Sequence, residues 1–349
     1  MIHLDGSQGE GGGQILRTAL ALSALTGQPF DVVNIRRGRD RPGLRPQHLE
    51  AVRAVARLCA AGVEGAVENS TEMRFDPGPV APGSYRFEIR TAGSACLVLQ
   101  TVYLPLSFAG AESTVEIRGG THVPWSPCYH YLERQWAPWL GRLGFAVRPS
   151  LTRCGFYPAG GGEIQAQIAP AAPVAGVRIA ERGKLQQLDI LSVACNLPRD
   201  IAQRQARRAV ERLAGLGAVP RVEMPELPAQ GKGTFVVATA QYEHGGACTS
   251  ALGAIGKPAE KVAEEAACAI CDFARTEAMM DEHLADQILL PLALTPGECS
   301  FTTACVTGHL LTNAQIIRHF LPVDIRIEGT PGAPGAVIVR GVAPSAARW

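Results

Sequence analysis

"RTALALSALTG", Arg17 to Gly27, runs from a polar residue through an apolar helical pattern to a glycine ten positions on. The same form returns as "QTVYLPLSFAG" (Gln100 to Gly110) and "QILLPLALTPG" (Gln287 to Gly297). Glycine just past the last periodic residue is a helix stop, because it accepts the left-handed conformation that closes the final turn. Each apolar helix is followed by a more polar helical candidate with a histidine near its start: His48 in "PQHLEAVRAVARLCAAG", His130 in "CYHYLERQWAPWLGRLG" and His309 in "TGHLLTNAQIIRHF". A two-helix unit therefore occurs three times.

The spacing places an insertion. Arg17 to Gln100 is 83 positions and Gln100 to Gln287 is 187, while the histidines stand 82 and 179 apart. Both sets of markers leave an excess of roughly 100 residues in the third unit. Its window, between "EIQAQIAP" and the helix containing Gln287, holds strand "LQQLDILSVACNL", helix "RDIAQRQARRAVERLAGLG", strand "GTFVVATAQY" and helix "PAEKVAEEAACAICDFARTEA". Short β-branched or alternating runs such as "FDVVNIR", "STVEIRGG" and "AVIVRGV" supply a small sheet for each unit. The expected class is α/β (α+β), with the helices packed together inside. A large three-repeat domain spans 1–179 and 276–340, an inserted α/β domain 180–275, and a tail 341–349.

With 46% hydrophobic residues and a formal charge of +1 over 349 residues, the chain has the composition of a folded protein, and net charge alone predicts no nucleic-acid partner. Ten cysteines without a framework favour a reducing compartment. The N-terminus lacks a basic and apolar leader, and no run reaches the roughly 18 apolar residues of a membrane span. A cytoplasmic protein, without membrane or obligate protein partner, is expected.

Several stretches suit chemistry. "DGSQGEGGGQILR" sets glycines before a helix, where backbone N–H groups and the helix dipole accept phosphate; a tight turn explains the same residues. Glu10 within it is a hard oxygen ligand suited to Mg²⁺ or Mn²⁺. "GFYPAGGGE" is expected to repeat this pattern in the third unit as a structural turn. The loop "RRGRDRPGLRPQH" concentrates guanidinium forks that suit phosphate oxygens, although a solvated face is the common explanation. The basic helix with Arg204, Arg207, Arg208 and Arg212 either guides RNA or is solvated. "CAIC" has zinc-like spacing but lacks a second pair, which favours buried thiols. In "DEHLADQ", helix capping explains Asp281 and Glu282 but not Asp286. For His309, packing competes with nucleophilic catalysis. His48 and His130 hold comparable places, but glycine precedes only His309, leaving room for a phosphorus atom beside the ring.

Together "DGSQGEGGGQILR", "NIRRGRDRPGLRPQHL", "TAGSACLVLQT", "IRGGTHVPWSP", "GFYPAGGGE", "HLADQ" and "TGHLLTNAQI" resemble the RNA 3'-terminal phosphate cyclase family, along the whole chain and in its order. The resemblance implies three repeats, each like the C-terminal domain of translation initiation factor three, with a smaller α/β domain inserted in the third. It implies a ligase reaction: His309 takes AMP from ATP, AMP passes to an RNA 3'-phosphate, and the 2'-hydroxyl closes a 2',3'-cyclic phosphate. It assigns His309 as nucleophile and Asp286 as the group that orients it. The ATP pocket falls on Gln100, Pro127, His283, Leu284, Ala285, Asp286 and Gln287. Arg17, Arg36, Arg39 and Gln47 handle phosphates of ATP or of the RNA end, and Glu10 holds the metal. His283 stands where an aromatic tyrosine is expected, and Cys154, after Arg153, where a basic residue is expected. Two alternatives remain at this level: a non-catalytic RNA-binding factor of ribosome assembly with the same fold, and an enolpyruvyl-type transferase on related repeats. The lack of long aromatic-rich basic stretches favours recognition of the RNA terminus over its sequence.

Overall fold

A computed structural model of the chain describes residues 1–9, 12–89, 91–178 and 181–342. Glu10 and nearly all of the tail at 341–349 lie outside the described residues. Four sheets organise the chain. The first holds Ile2–Asp5, Phe30–Val33, Met73–Asp76 and Gly62–Glu64 in that order, with the first pair parallel and the others antiparallel. The second repeats this path with Ser84–Glu88, Ser113–Gly119, Gly162–Ile168 and Val147–Arg153. The third holds Gly297–Thr303, Gly335–Gly341 and Asp324–Glu328, all antiparallel, and Arg178 bridges Ser300 in parallel at its edge.

The apolar helices pack inside. Gly13–Thr26 buries nearly its whole circumference, including Ala19, Leu20 and Leu22, and Gly27 closes it with φ at 65°. A helix apolar all round must be covered all round. Its neighbours are Ala95–Ser107, Gly308–Phe320 and Pro46–Cys59. Two helices depart from the regular form expected. The segment around Gln287 is broken into Glu282–Gln287 and Leu289–Ala293, because Pro291 has no N–H to offer the carbonyl of Gln287. The helix after Tyr129 widens into a π turn over Leu132–Trp136, just before Pro138.

The remaining sheet, Arg221–Glu223, Leu185–Cys195, Gly233–Tyr242 and Gly246–Leu252, carries helices Arg199–Leu213 and Ala259–Ala274 and has its own core around Leu188, Ile190, Val236 and Val262. Those two helices are pinned by repeated rungs: Arg204 to Glu260 at 3.1 Å, Arg208 to Glu264, and Arg212 Nε to Cys268 Sγ at 3.3 Å. Three of the four arginines that the sequence offers to RNA are thus engaged within the fold. "GFYPAGGGE" lies between the last two strands of the second sheet, not in the third unit. It precedes a strand, so it makes no helix N-terminus. No helix among the described residues is long and apolar enough to cross a membrane.

Candidate active site

His309 sits in the first turn of Gly308–Phe320, a helix started by Thr307, whose hydroxyl accepts the N–H of Leu310 at 3.0 Å. A partial positive charge at that end favours an approaching phosphate. The N-terminal glycine loop reaches the same helix: a Cβ on Gly9 would fall 2.0 Å from Thr312 Oγ1, and Gly9 has φ at 56°. Only glycine fits there, which brings the loop within a turn of His309.

Asp286 is buried on the neighbouring segment. Its Oδ2 accepts from Gln14 Nε2 at 3.1 Å, and its backbone carbonyl accepts from Asn313 Nδ2 at 2.7 Å, while Asn313 Oδ1 accepts from the Thr18 hydroxyl at 2.8 Å. Asp286 Oδ1 is buried without a hydrogen-bond partner among the described residues. Burial pushes the carboxyl pKa up to about 7, against the pull of His283, Gln14 and Arg17. Burial likewise lowers Arg17 to about 10, with Asp286 raising it, so Arg17 stays a cation at neutral pH. Gln100 Nε2 donates to Gln287 Oε1 at 2.7 Å. The three repeat-equivalent positions 17, 100 and 287 therefore meet in one region.

The arginine loop closes on the N-terminus of the first apolar helix. Arg39 lies 3.6 Å from where a Gly12 Cβ would be, and His48 Nε2 only 2.4 Å from that of Gly13. Arg36 holds a left-handed backbone, φ 56°, and ties the loop to the carbonyls of Arg41 and Gly43. His48 is a functional candidate that the sequence reading treated as packing. Its Nδ1 accepts the N–H of Arg45 at 3.0 Å, so the neutral ring presents Nε2–H toward Gly13. Burial first, then Arg17, Arg36 and Arg45, lower its pKa to about 3. A neutral N–H donor among guanidinium groups suits an anion.

Asp281 was legible only as a cap. Its Oδ1 accepts from the N–H groups of His283 and Leu284, and its carboxylate is also reached by Tyr131, Gln135 and the N–H of Cys248. One buried carboxylate thus joins the helical segment of Tyr131 and Gln135, the strand Gly246–Leu252 and the segment of Asp286. Leu284 and Ala285 are fully buried, main chain and side chain alike, so neither presents surface to a ligand in this arrangement. His283 is exposed, and Pro127 half-buried in the loop before Tyr129; no described contact joins either to Gln100. Gln47 is exposed beside the Thr91–Gly93 loop. Among the described residues no group of three His, Cys, Asp or Glu side chains could hold a metal ion, Cys268 and Cys271 included.

Imidazoles, guanidinium groups and two helix N-termini gathered in this way suit an enzyme that handles phosphate esters. Residues 8–327 match the family described as RNA 3'-terminal phosphate cyclase. Relatives of that name include a protein of Ralstonia nicotianae, 46% identical over 94% of this chain and 93% of its own, and one of Methanopyrus kandleri, 43% identical over 97% and 99%. The chain belongs to the RNA 3'-terminal phosphate cyclase family, whose members are ligase-type enzymes. A solved structure, the enolpyruvyl transferase NikO from Streptomyces tendae, aligns at 12% identity and a TM-score of 0.39, covering 96% of this chain and 48% of that one; so loose an overlap carries no argument.

Proposed function

We propose that this protein uses ATP to convert an RNA 3'-terminal phosphate into a 2',3'-cyclic phosphodiester through a covalent His309–AMP intermediate. A ring nitrogen of neutral His309 attacks the α-phosphorus of ATP. A P–N bond forms, the P–O bond to pyrophosphate breaks, and the ring gives up its remaining proton or holds it as a cation. A 3'-phosphate oxygen of RNA then displaces the imidazole and takes the AMP. Finally the adjacent 2'-hydroxyl attacks the 3'-phosphorus and releases AMP, an easier leaving group than hydroxide. The observation that carries this reading is His309 at a helix N-terminus, beside a glycine loop, in a chain of this family.

In this reading Asp286 orients His309 and steadies it as it becomes cationic. Its partnerless Oδ1 supports that role, since a buried carboxylate oxygen calls for a donor. Gln100 and the segment His283 to Gln287 flank the nucleotide, with Pro127 and the His283 ring against adenine. Arg17, Arg36, Arg39 and Gln47 hold phosphates, joined by His48. A divalent cation on Glu10, Mg²⁺ or Mn²⁺, would offset charge on the leaving pyrophosphate. We further read the two βαβαββ units and the third, whose sheet keeps three strands rather than the four expected, as like the C-terminal domain of initiation factor three, in a large domain of 1–179 and 276–340 with 180–275 inserted. The shared strand order supports this reading. Incubation with α-labelled ATP and Mg²⁺ or Mn²⁺ tests the chemistry: acid-labile label on the protein, lost in His309→Asn, is expected. No label with either metal would overturn it.

A further inference from the structure

Two aromatic side chains stand in solvent beside this region without a role in the chemistry above. Trp125 is 100% exposed and Tyr157 72% exposed. Trp125 also has φ at 64°, a left-handed backbone that a bulky side chain rarely adopts and that often marks a functional position. Neither residue hangs on a loose loop. Below Trp125, Val123 is buried, and next to Tyr157 buried Phe156 packs against His122 and Phe235. The two loops are joined, since the N–H groups of Thr121 and His122 both donate to the carbonyl of Gly155 at 3.0 Å.

Both loops rest on the segment that borders the phosphate-handling residues. A Cβ on Gly120 would fall 2.7 Å from the carbonyl of Ala92, and one on Gly160 2.9 Å from the carbonyl of Thr91. One residue on, a Cβ at Gly93 would lie 3.4 Å from Gln47 Cβ. Across Gln47 begin Arg45 and the loop with exposed Arg37, Arg39 and Arg41. Exposed aromatic faces on anchored loops, next to a basic cluster, complement a single strand whose phosphates take the charge and whose bases take the rings.

We propose that Trp125 and Tyr157 stack the last bases of the RNA strand and thereby seat its 3'-phosphate among Arg36, Arg39 and Gln47. This rests on the RNA-end reading above and adds a base-side anchor that is indifferent to sequence, because every base offers a π face.

The test measures binding of a short 3'-phosphorylated RNA oligonucleotide, intact or with one base-less ribose at the last or penultimate position. The chains compared are wild type, Trp125→Ala, Tyr157→Ala and Trp125→Phe. Each alanine variant is expected to weaken binding of the intact strand by about 5- to 150-fold, the loss of one stacked base. Removing the matching base weakens the wild type by a similar factor and adds little to the alanine variant, and Trp125→Phe recovers most of the affinity. Losses that multiply independently, or alanine variants that bind the intact strand as tightly as wild type, overturn the assignment and leave these rings to a protein partner. Labelling of the wild type by ATP needs no RNA, so failure of the catalytic reading and failure of the base anchor are read separately.

Discussion

The side-chain amide of Gln100 donates to that of Gln287 at 2.7 Å, across 187 residues of sequence. Gln100 lies inside helix Ala95–Ser107 and Gln287 ends helix Glu282–Gln287, and the third position of the sequence pattern, Arg17 inside Gly13–Thr26, faces Asp286. Three positions that recur in the sequence pattern thus meet in one place with three different side chains. Gln100→Ala should cost about 1 kcal/mol of stability, one part-buried hydrogen bond. It should also raise the ATP concentration needed for half-maximal self-labelling several-fold. Urea midpoints and an ATP titration check both, and unchanged ATP dependence would remove Gln100 from the nucleotide pocket.

Asp286 gives the site an unusual pH dependence. Its folded pKa of about 7 lies above the usual 3.8, so the native state holds this proton more tightly than the unfolded chain. The contribution to stability is therefore greatest below pH 3.8 and is lost as pH rises through 7. Above that, the buried carboxylate costs on the order of 4 kcal/mol. Asp286→Asn should be more stable than wild type at pH 8, with the gap shrinking toward pH 5, while its self-labelling falls about 10- to 100-fold. Equal stability of the two proteins at both pH values would mean that the carboxylate is not desolvated.

The apolar helices were legible because helix periodicity and glycine stops survive as local pattern, which needs no distant partner to be read. Asp286 and Gln287 could be picked out by resemblance, but Gln14 and Asn313 could not. Their role depends on contacts 272 and 27 positions away, which leave no local mark. Asn313 carried one faint signal, its place one helical turn after His309. His48 could not be singled out for the opposite reason. Repeat equivalence made it look like packing, whereas the guanidinium groups around it, Arg17, Arg36 and Arg45, are gathered only by the fold. Trp125 passed unnoticed because exposure is a property of the folded surface, not of the sequence.

Buried neutral histidines should set the acid limit of stability. His48 and His130 are lowered to about 3, chiefly by burial, and His122 well below its usual 6.5. His122 and His130 share a ring-to-ring hydrogen bond of 2.9 Å under Phe235 of strand Gly233–Tyr242. These groups favour the fold fully above pH 6.5. Below it the unfolded chain takes up protons that the native state refuses, and the loss continues down to about pH 3. Each histidine should contribute about 1.4 kcal/mol per pH unit within that window. Denaturant unfolding between pH 7.5 and 5 should show this slope, flattened in His130→Asn, which is itself less stable at pH 7.5. A slope unaltered by that variant would place the acid sensitivity elsewhere.

Gly13→Ala separates stability from phosphate handling. Alanine is the better helix former, by up to about 1 kcal/mol in a helix interior. At the first residue of this helix, however, the new Cβ would stand 2.4 Å from His48 Nε2 and 3.0 Å from the Arg17 guanidinium. Both groups are buried, so displacing them costs about 1–3 kcal/mol of overpacking, and the N–H donor and the cation are pushed from the helix N-terminus together. The variant should melt within a few degrees of wild type while transfer of AMP from the labelled protein to a 3'-phosphorylated RNA falls at least about 10-fold, as expected when a positioned donor and charge are displaced. Chase of pre-labelled protein with RNA isolates that step from ATP use. Normal chase kinetics in a folded Gly13→Ala protein would mean that the RNA phosphate is held away from this helix end.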